Sequence, residues 1–315
     1  MKPEQTVVNQ CMQLKTDEKC LIVTDENKRE ITRRIYNASS EIALTEIIEI
    51  PVGAVNGEEP PAWCAQKMEQ FDVVFLITTK SLSHTRARKK ATEKNVRIAS
   101  MPNVTEEMFE RAINVDYGAM HRLTNRIADL IDDVGEIKVT TGKGTNLTFN
   151  VSERISYGRD AGIYSASGSF GNLPAGEAFV APIEGSATGI LVVDESVGGL
   201  GKVDEPISIE IENGMAVKIE GNKIAEELIK KLESINDKFA YNIAEFGIGT
   251  NVSAQISGNT LEDEKVFGTC HVALGNNRGF GGVVDVPLHL DCVINEPDIF
   301  VDGRKIFEKG RCLLW

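Results

Sequence analysis

Two residue types that bind divalent metals lie two positions apart in Val286-Pro287-Leu288-His289-Leu290-Asp291-Cys292-Val293-Ile294. The run reads as a strand, in which side chains alternate between faces, so His289 and Asp291 point the same way. An imidazole and a carboxylate side by side on a stiff apolar element are two ligands for a divalent ion. Upstream, Gly268-Thr269-Cys270-His271-Val272-Ala273-Leu274-Gly275 supplies His271 in a second strand-like run, so two of the chain's four histidines fall here. The neighbouring Cys270 and Cys292 would face away from His271 and Asp291 and read as core residues. His84 and His121 read as surface histidines.

Carboxylates must complete such a site, and with 47 acidic residues most are solvated surface. Glu177 and Glu245 stand out by context. Glu177 follows a glycine-containing loop and enters the apolar run Phe179-Val180-Ala181-Pro182; Glu245 sits in Asn242-Ile243-Ala244-Glu245-Phe246-Gly247-Ile248-Gly249. An unpaired buried charge is very costly, so each needs a partner. A metal would be one. A lysine or a set of backbone N–H groups would be another, and spacing leaves the two open.

The elements that must position these residues differ between the two parts of the chain. Residues 3–14 read as a helix and Cys20–Thr24 as a buried strand, and Asp25 can cap a helix carrying Ile31 and Ile35. Strands near 46–50, 72–79 and 96–100, with a basic helix at about 82–94, complete a βαβ pattern. That order predicts a Rossmann-like parallel sheet, an α/β domain over residues 1–130. The turn Thr24-Asp25-Glu26-Asn27 has two acids and no glycine, which excludes the usual pyrophosphate cradle. A helical stretch from Thr105 to about 132, broken near Asp116, closes this part. Hairpins then dominate: Glu136–Thr141 with Leu147–Val151, and Ile207–Glu212 with Met215–Glu220 around Asn213-Gly214. One helix over 222–235 interrupts them. Residues 131–315 are expected to be an α+β domain rich in antiparallel strands, carrying the metal site.

The net charge of −13 argues against nucleic acid and anionic membranes as partners. The basic run Arg86, Arg88, Lys89, Lys90 reads as a solvated helix face. No leader is evident at the N-terminus, no apolar stretch is long enough to span a bilayer, and the six cysteines form no C-x-x-C pair. A cytoplasmic protein with reduced thiols is expected.

Four separated motifs occur in order: Asn172-Leu173-Pro174-x-x-Glu177-x-Phe179, Ala244-Glu245-Phe246-Gly247-Ile248-Gly249-Thr250-Asn251, Cys270-His271-Val272-Ala273-Leu274-Gly275 and His289-Leu290-Asp291. Together they resemble the M29 metallo-aminopeptidases, also called aminopeptidase T or thermophilic leucyl aminopeptidase. The resemblance covers most of the chain and is strongest after residue 135. It implies that Glu177, Glu245, His271, His289 and Asp291 ligate two divalent ions, zinc or cobalt, with magnesium or manganese as other choices. It further implies a peptide substrate, a metal-activated water that hydrolyses its N-terminal bond, Glu177 and Glu245 in the catalytic set, and a homodimer. Arg278 stands where that family carries a tyrosine, and would have to supply any oxyanion stabilisation electrostatically.

A second resemblance, on the same scaffold, is to 2,5-dihydroxypyridine dioxygenases, which hold one ferrous ion by two histidines and an aspartate. His271, His289 and Asp291 would be that triad. A non-catalytic metal-binding relative is the third reading. The presence of both Glu177 and Glu245 favours the two-metal aminopeptidase.

Overall fold

Cys20–Thr24 is buried along its whole length, and so is Val73–Ile77. Strands covered on both faces are what a parallel sheet needs, since crossover helices lie against it. Lys19–Thr24 pairs in parallel with both Leu44–Glu49 and Val73–Ile77, and Arg97–Ser100 extends the sheet beyond Val73–Ile77. In the computed structural model, which describes residues 1–155 and 158–314, the chain divides into two compact units. One is Met1–His121 with Asp160–Ala175; the other is Arg122–Arg159 with Gly176–Trp315.

The first unit carries the expected α/β sheet, with a fifth strand that periodicity did not indicate. Phe170–Asn172 returns to pair in parallel with Ile98–Ser100. Three residues are too few to carry a repeat of side-chain character. Asp25 accepts a hydrogen bond from Asn27 N, capping the turn that leads into the helix Arg29–Ser40. The helix Ala62–Met68 was hidden in the proline-rich approach to it. Arg88 leaves the solvated face expected for its helix and lies over the Phe170 ring, 4.0 Å from its centroid.

The second unit is built from two antiparallel sheets. Eight strands run in the order Met215–Glu220, Ile207–Glu212, Thr188–Val193, Asn146–Asn150, Glu136–Thr140, Asp298–Val301, Arg304–Glu308 and Arg311–Cys312. The other sheet is centred on His289–Asn295, Thr269–Gly275, Ile243–Gly249 and Glu177–Val180, adjacent in that order. Their inner faces share one core: Leu147, Phe149, Ile207 and Ile209 from the first, Phe246, Ile248, Val272, Leu274, Cys270 and Cys292 from the second. The Phe149 and Phe246 rings pack at 5.2 Å. Both cysteines therefore sit in the apolar layer, as their strand parity required. The α/β unit and the strand-rich unit are the fold class expected from the sequence. No helix among the described residues is long and apolar enough to cross a membrane.

Candidate metal centre

Parity sends the alternate residues of the second sheet to the opposite face. If Phe246, Val272 and Cys292 point into the core, then Glu245, Gly247, His271, His289 and Asp291 point away from it. Ile243–Gly249 and Thr269–Gly275 are nonetheless buried at every position. On these two strands the site face is thus as closed as the core face, and its polar groups need partners.

Each candidate ligand has a small residue opposite it. His271 opposes Gly247, Asp291 and Glu245 both oppose Ala273, His289 opposes Gly275, and Glu177 opposes Gly249. Directly opposed residues share a face, so the small partners leave the space above them to imidazoles and carboxylates. Two glycines are required by close approach. A Cβ at Gly247 would overlap Nε2 and Cε1 of His271, and a Cβ at Gly249 would strike the backbone of Lys265 and Val266.

The five residues gather into two overlapping groups. Ligand atoms of Glu177, Glu245 and His271 lie within 4.8 Å of one another, and so do those of Glu245, His289 and Asp291. His271 Nε2 is 3.4 Å from Glu245 Oε1 and 3.7 Å from Glu177 Oε2. His289 Nε2 is 3.3 Å from Glu245 Oε2 and 3.3 Å from Asp291 Oδ1. Glu245 faces both histidines, one with each oxygen. The remaining nitrogen of His289, Nδ1, donates to the carbonyl of Asn276 at 2.9 Å, which turns Nε2 toward the acids. Asn276 opens a loop that Glu184 ties down: its Oε1 accepts from Asn277 Nδ2 at 2.9 Å and from Val283 N at 2.8 Å.

Electrostatics follow from the burial. Burial works against a charged imidazole, yet the hydrogen bond to Glu245 and the charges of Glu177, Asp291 and Glu245 raise the His271 pKa to about 9. Burial opposes protonation of His289 in the same way, but Asp291 and Glu245 hold its pKa well above the ordinary value. Burial would raise Glu245 and Asp291, and the two histidines reverse this, keeping both carboxylates ionised.

Sequence reasoning missed Lys265. Its side chain is fully buried, and its ammonium donates to Glu177 Oε1 at 2.7 Å and also to Glu264. Burial pushes the Glu264 carboxyl up to about 8, against the pull of Lys265. In the sequence Glu262-Asp263-Glu264-Lys265 looks like an exposed helix end. In the fold Glu262 and Asp263 are fully buried, accepting from the backbone of Gln255 and of Ser257 and Gly258. No local signal separates such a run from a solvated one.

Arg278 lies in the short turn Arg278–Phe280, its side chain 68% exposed and paired with Asp285.

Glu177, Glu245 and Asp291 bring carboxylate oxygens and His271 and His289 bring imidazole nitrogens, a mixed N/O set that suits a divalent transition metal, and an ion there would take the place of the protons that the two histidines hold without it. The residues fit a metal ion.

With this geometry established, the comparison with known proteins decides the family. The sequence matches the family described as NicX, 2,5-dihydroxypyridine 5,6-dioxygenase, over residues 5–314. The chain belongs to that family. A 2,5-dihydroxypyridine 5,6-dioxygenase of Pseudomonas putida is 31% identical over 157 residues, 45% of this chain and 44% of that protein. The aligned stretch thus spans less than half of either. Among solved structures, 2,5-dihydroxypyridine dioxygenase from Pseudomonas putida KT2440 superposes with a TM-score of 0.86 at 19% identity, covering 99% of this chain and 96% of that one. Wild-type AmpT from Thermus thermophilus superposes with a TM-score of 0.70 at 17% identity, covering 99% and 98%. At these identities both likenesses are of fold.

The aminopeptidase reading is corrected accordingly. Membership of a dioxygenase family overturns the expected hydrolase, its peptide substrate and its protease class; the resemblance to aminopeptidase T holds for the scaffold alone. The reading rested on Glu177 and Glu245 as marks of two ions. In the fold one oxygen of Glu177 is engaged by Lys265, the bland partner that the sequence had left open.

Proposed function

We propose that this chain is an iron-dependent dioxygenase that opens the ring of a small dihydroxylated pyridine. The single observation that carries the reading is the match to the NicX family over residues 5–314. The donor set is consistent with it, because two histidines and a carboxylate are the ligands of non-haem ferrous oxygenases. His271, His289 and Asp291 would hold the ion, with Glu245 between the two imidazoles. When bound, ferrous iron supplies open positions for O₂ and substrate and the electrons that activate O₂.

The chain's own groups do the rest. Asn276 keeps the proton of neutral His289 on Nδ1, so that Nε2 is free to donate its lone pair. Asp291 and Glu245 stay ionised and hold positive charge at this point of the sheet. Side-chain exposure is 8% for Glu177, 6% for Glu245, 1% for His271 and 9% for Asp291, but 28% for His289. A substrate therefore approaches over His289, while the packing behind it excludes water.

The test is to load the protein anaerobically with Fe²⁺, admit 2,5-dihydroxypyridine and air, and follow dissolved O₂ with the ring absorbance. The expected result is one O₂ consumed per ring lost, abolished by a chelator. Iron-loaded protein that leaves both unchanged, across several dihydroxypyridine isomers, would refute the reading.

A further inference from the structure

The five-ligand arrangement could take one ion or two, and the structure contains a residue that can decide between them. Lys265 is fully buried, and its ammonium contacts Glu177 Oε1 at 2.7 Å, on the carboxylate whose other oxygen faces His271. Glu264, 13% exposed, holds the same ammonium from the other side. The placement is built into the fold. Asn251 N donates to Lys265 O at 2.8 Å and Phe267 N to Asn251 O at 3.1 Å, locking the Lys265–Val266 backbone over Gly249, the residue opposite Glu177.

A protonated buried lysine has a charge and three donors but no lone pair, so it cannot itself ligate a metal. Two cations on one carboxylate repel each other, and burial removes the water that would screen them. The ammonium's contact at 2.7 Å is to a carboxylate of the Glu177–Glu245–His271 group.

We propose that Lys265 is the residue that limits this centre to a single ion, its ammonium taking the place of a second divalent cation beside Glu177. It is a positioning residue: it holds Glu177 and fixes the charge at one end of the cluster, and the ion goes to the other end, beside His289 and Asp291. Removing the ammonium takes from Glu177 and Glu264 a cation that both contact, a loss that a second metal ion beside Glu177 makes good. The proposal rests on the reading of this cluster as a metal centre, and on nothing about the substrate.

The test counts metal and needs no turnover. Wild type, Lys265→Met and Lys265→Arg are dialysed against Mn²⁺, and bound manganese per chain is measured by elemental analysis and electron paramagnetic resonance. The expected result is one ion with an isolated-ion spectrum for wild type and Lys265→Arg, and two ions with a spin-coupled spectrum for Lys265→Met. Folding of the variants is checked by circular dichroism. If Lys265→Met does not fold, wild type at excess Mn²⁺ still decides: an isolated-ion spectrum at one equivalent supports the proposal, and a coupled pair overturns it. A folded Lys265→Met that keeps one ion also overturns it. Wild type that binds no metal overturns the metal centre itself, so the two failures are distinct.

Discussion

Replacing Gly247 by alanine isolates the contact on which the arrangement of His271 depends. Gly247 lies directly opposite His271 on the adjacent strand, so any side chain there shares its face. Its backbone is not left-handed, and alanine can adopt it without torsional strain. The added Cβ would stand about 1 Å inside the 3.0 Å below which real Cβ contacts do not occur, and the atoms it meets are Nε2 and Cε1 of the imidazole. His271 is fully buried, so the ring cannot swing into solvent. It must shift by roughly 1 Å, twice the tolerance of about 0.5 Å for a functioning site. Overpacking of this kind costs about 1–3 kcal/mol, which for a unit of this size lowers the melting temperature by about 2–4 °C per kcal/mol. Because the displaced atom faces Glu245 and Glu177, metal affinity should fall at least about tenfold, on the order of 1.4 kcal/mol. Calorimetric titration with Mn²⁺ and thermal unfolding of the metal-free protein read the two effects separately. A Gly247→Ala protein with wild-type affinity and melting temperature would refute the argument, since the alanine would then be accommodated by sheet movement that leaves the imidazole in place.

Further outcomes follow from the same site. Asp291→Asn removes a charge that faces His289 at 3.3 Å while keeping the side chain's shape, and should abolish metal binding with circular dichroism unchanged; retention of the ion would place the ligands elsewhere. In the metal-stripped protein the His271 pKa is raised from 6.5 to about 9, so the stability that its proton contributes is fully present below about 6.5 and is lost as pH rises through 9. Glu264, raised from 4.5 to about 8, acts in the same direction, because its buried charge is formed as pH climbs through that range. Denaturant titrations at pH 6 and pH 9 should show the metal-stripped protein weaker at pH 9, and a flat or rising stability would contradict this linkage. Added metal should narrow the difference, since it replaces the protons that are lost.

Much of the fold was legible. Val73–Ile77 and Lys19–Thr24 announced a parallel sheet by uninterrupted apolar runs, and Asn213-Gly214 announced its hairpin by turn chemistry. The four motifs likewise brought Glu177, Glu245, His271, His289 and Asp291 into view, since carboxylates and histidines set among apolar and glycine residues stand out against a core. Parity alone sorted Cys270 and Cys292 from the two residues beside them. These are local properties: strand alternation and the cost of burying charge act on neighbours in the chain.

What the sequence could not decide depended on distant residues meeting. Phe170–Asn172 joins the parallel sheet only because the chain returns from the other unit, and three residues carry no period. Arg278 entered through the resemblance, standing where that family carries a tyrosine, and only the fold shows that its turn exposes it and pairs it with Asp285. Lys265 was invisible for the opposite reason. A lysine in an acidic run has the local character of surface, and only the glycine at 249 and the backbone bridge to Asn251 carry it inside, 88 positions from Glu177 in sequence and 2.7 Å from it in space. The sequence by itself thus determined the layers, the faces and the types of residue that meet at the candidate site. The tertiary structure decided which carboxylate was already partnered, because charge compensation is a property of three-dimensional neighbours and leaves no trace in spacing.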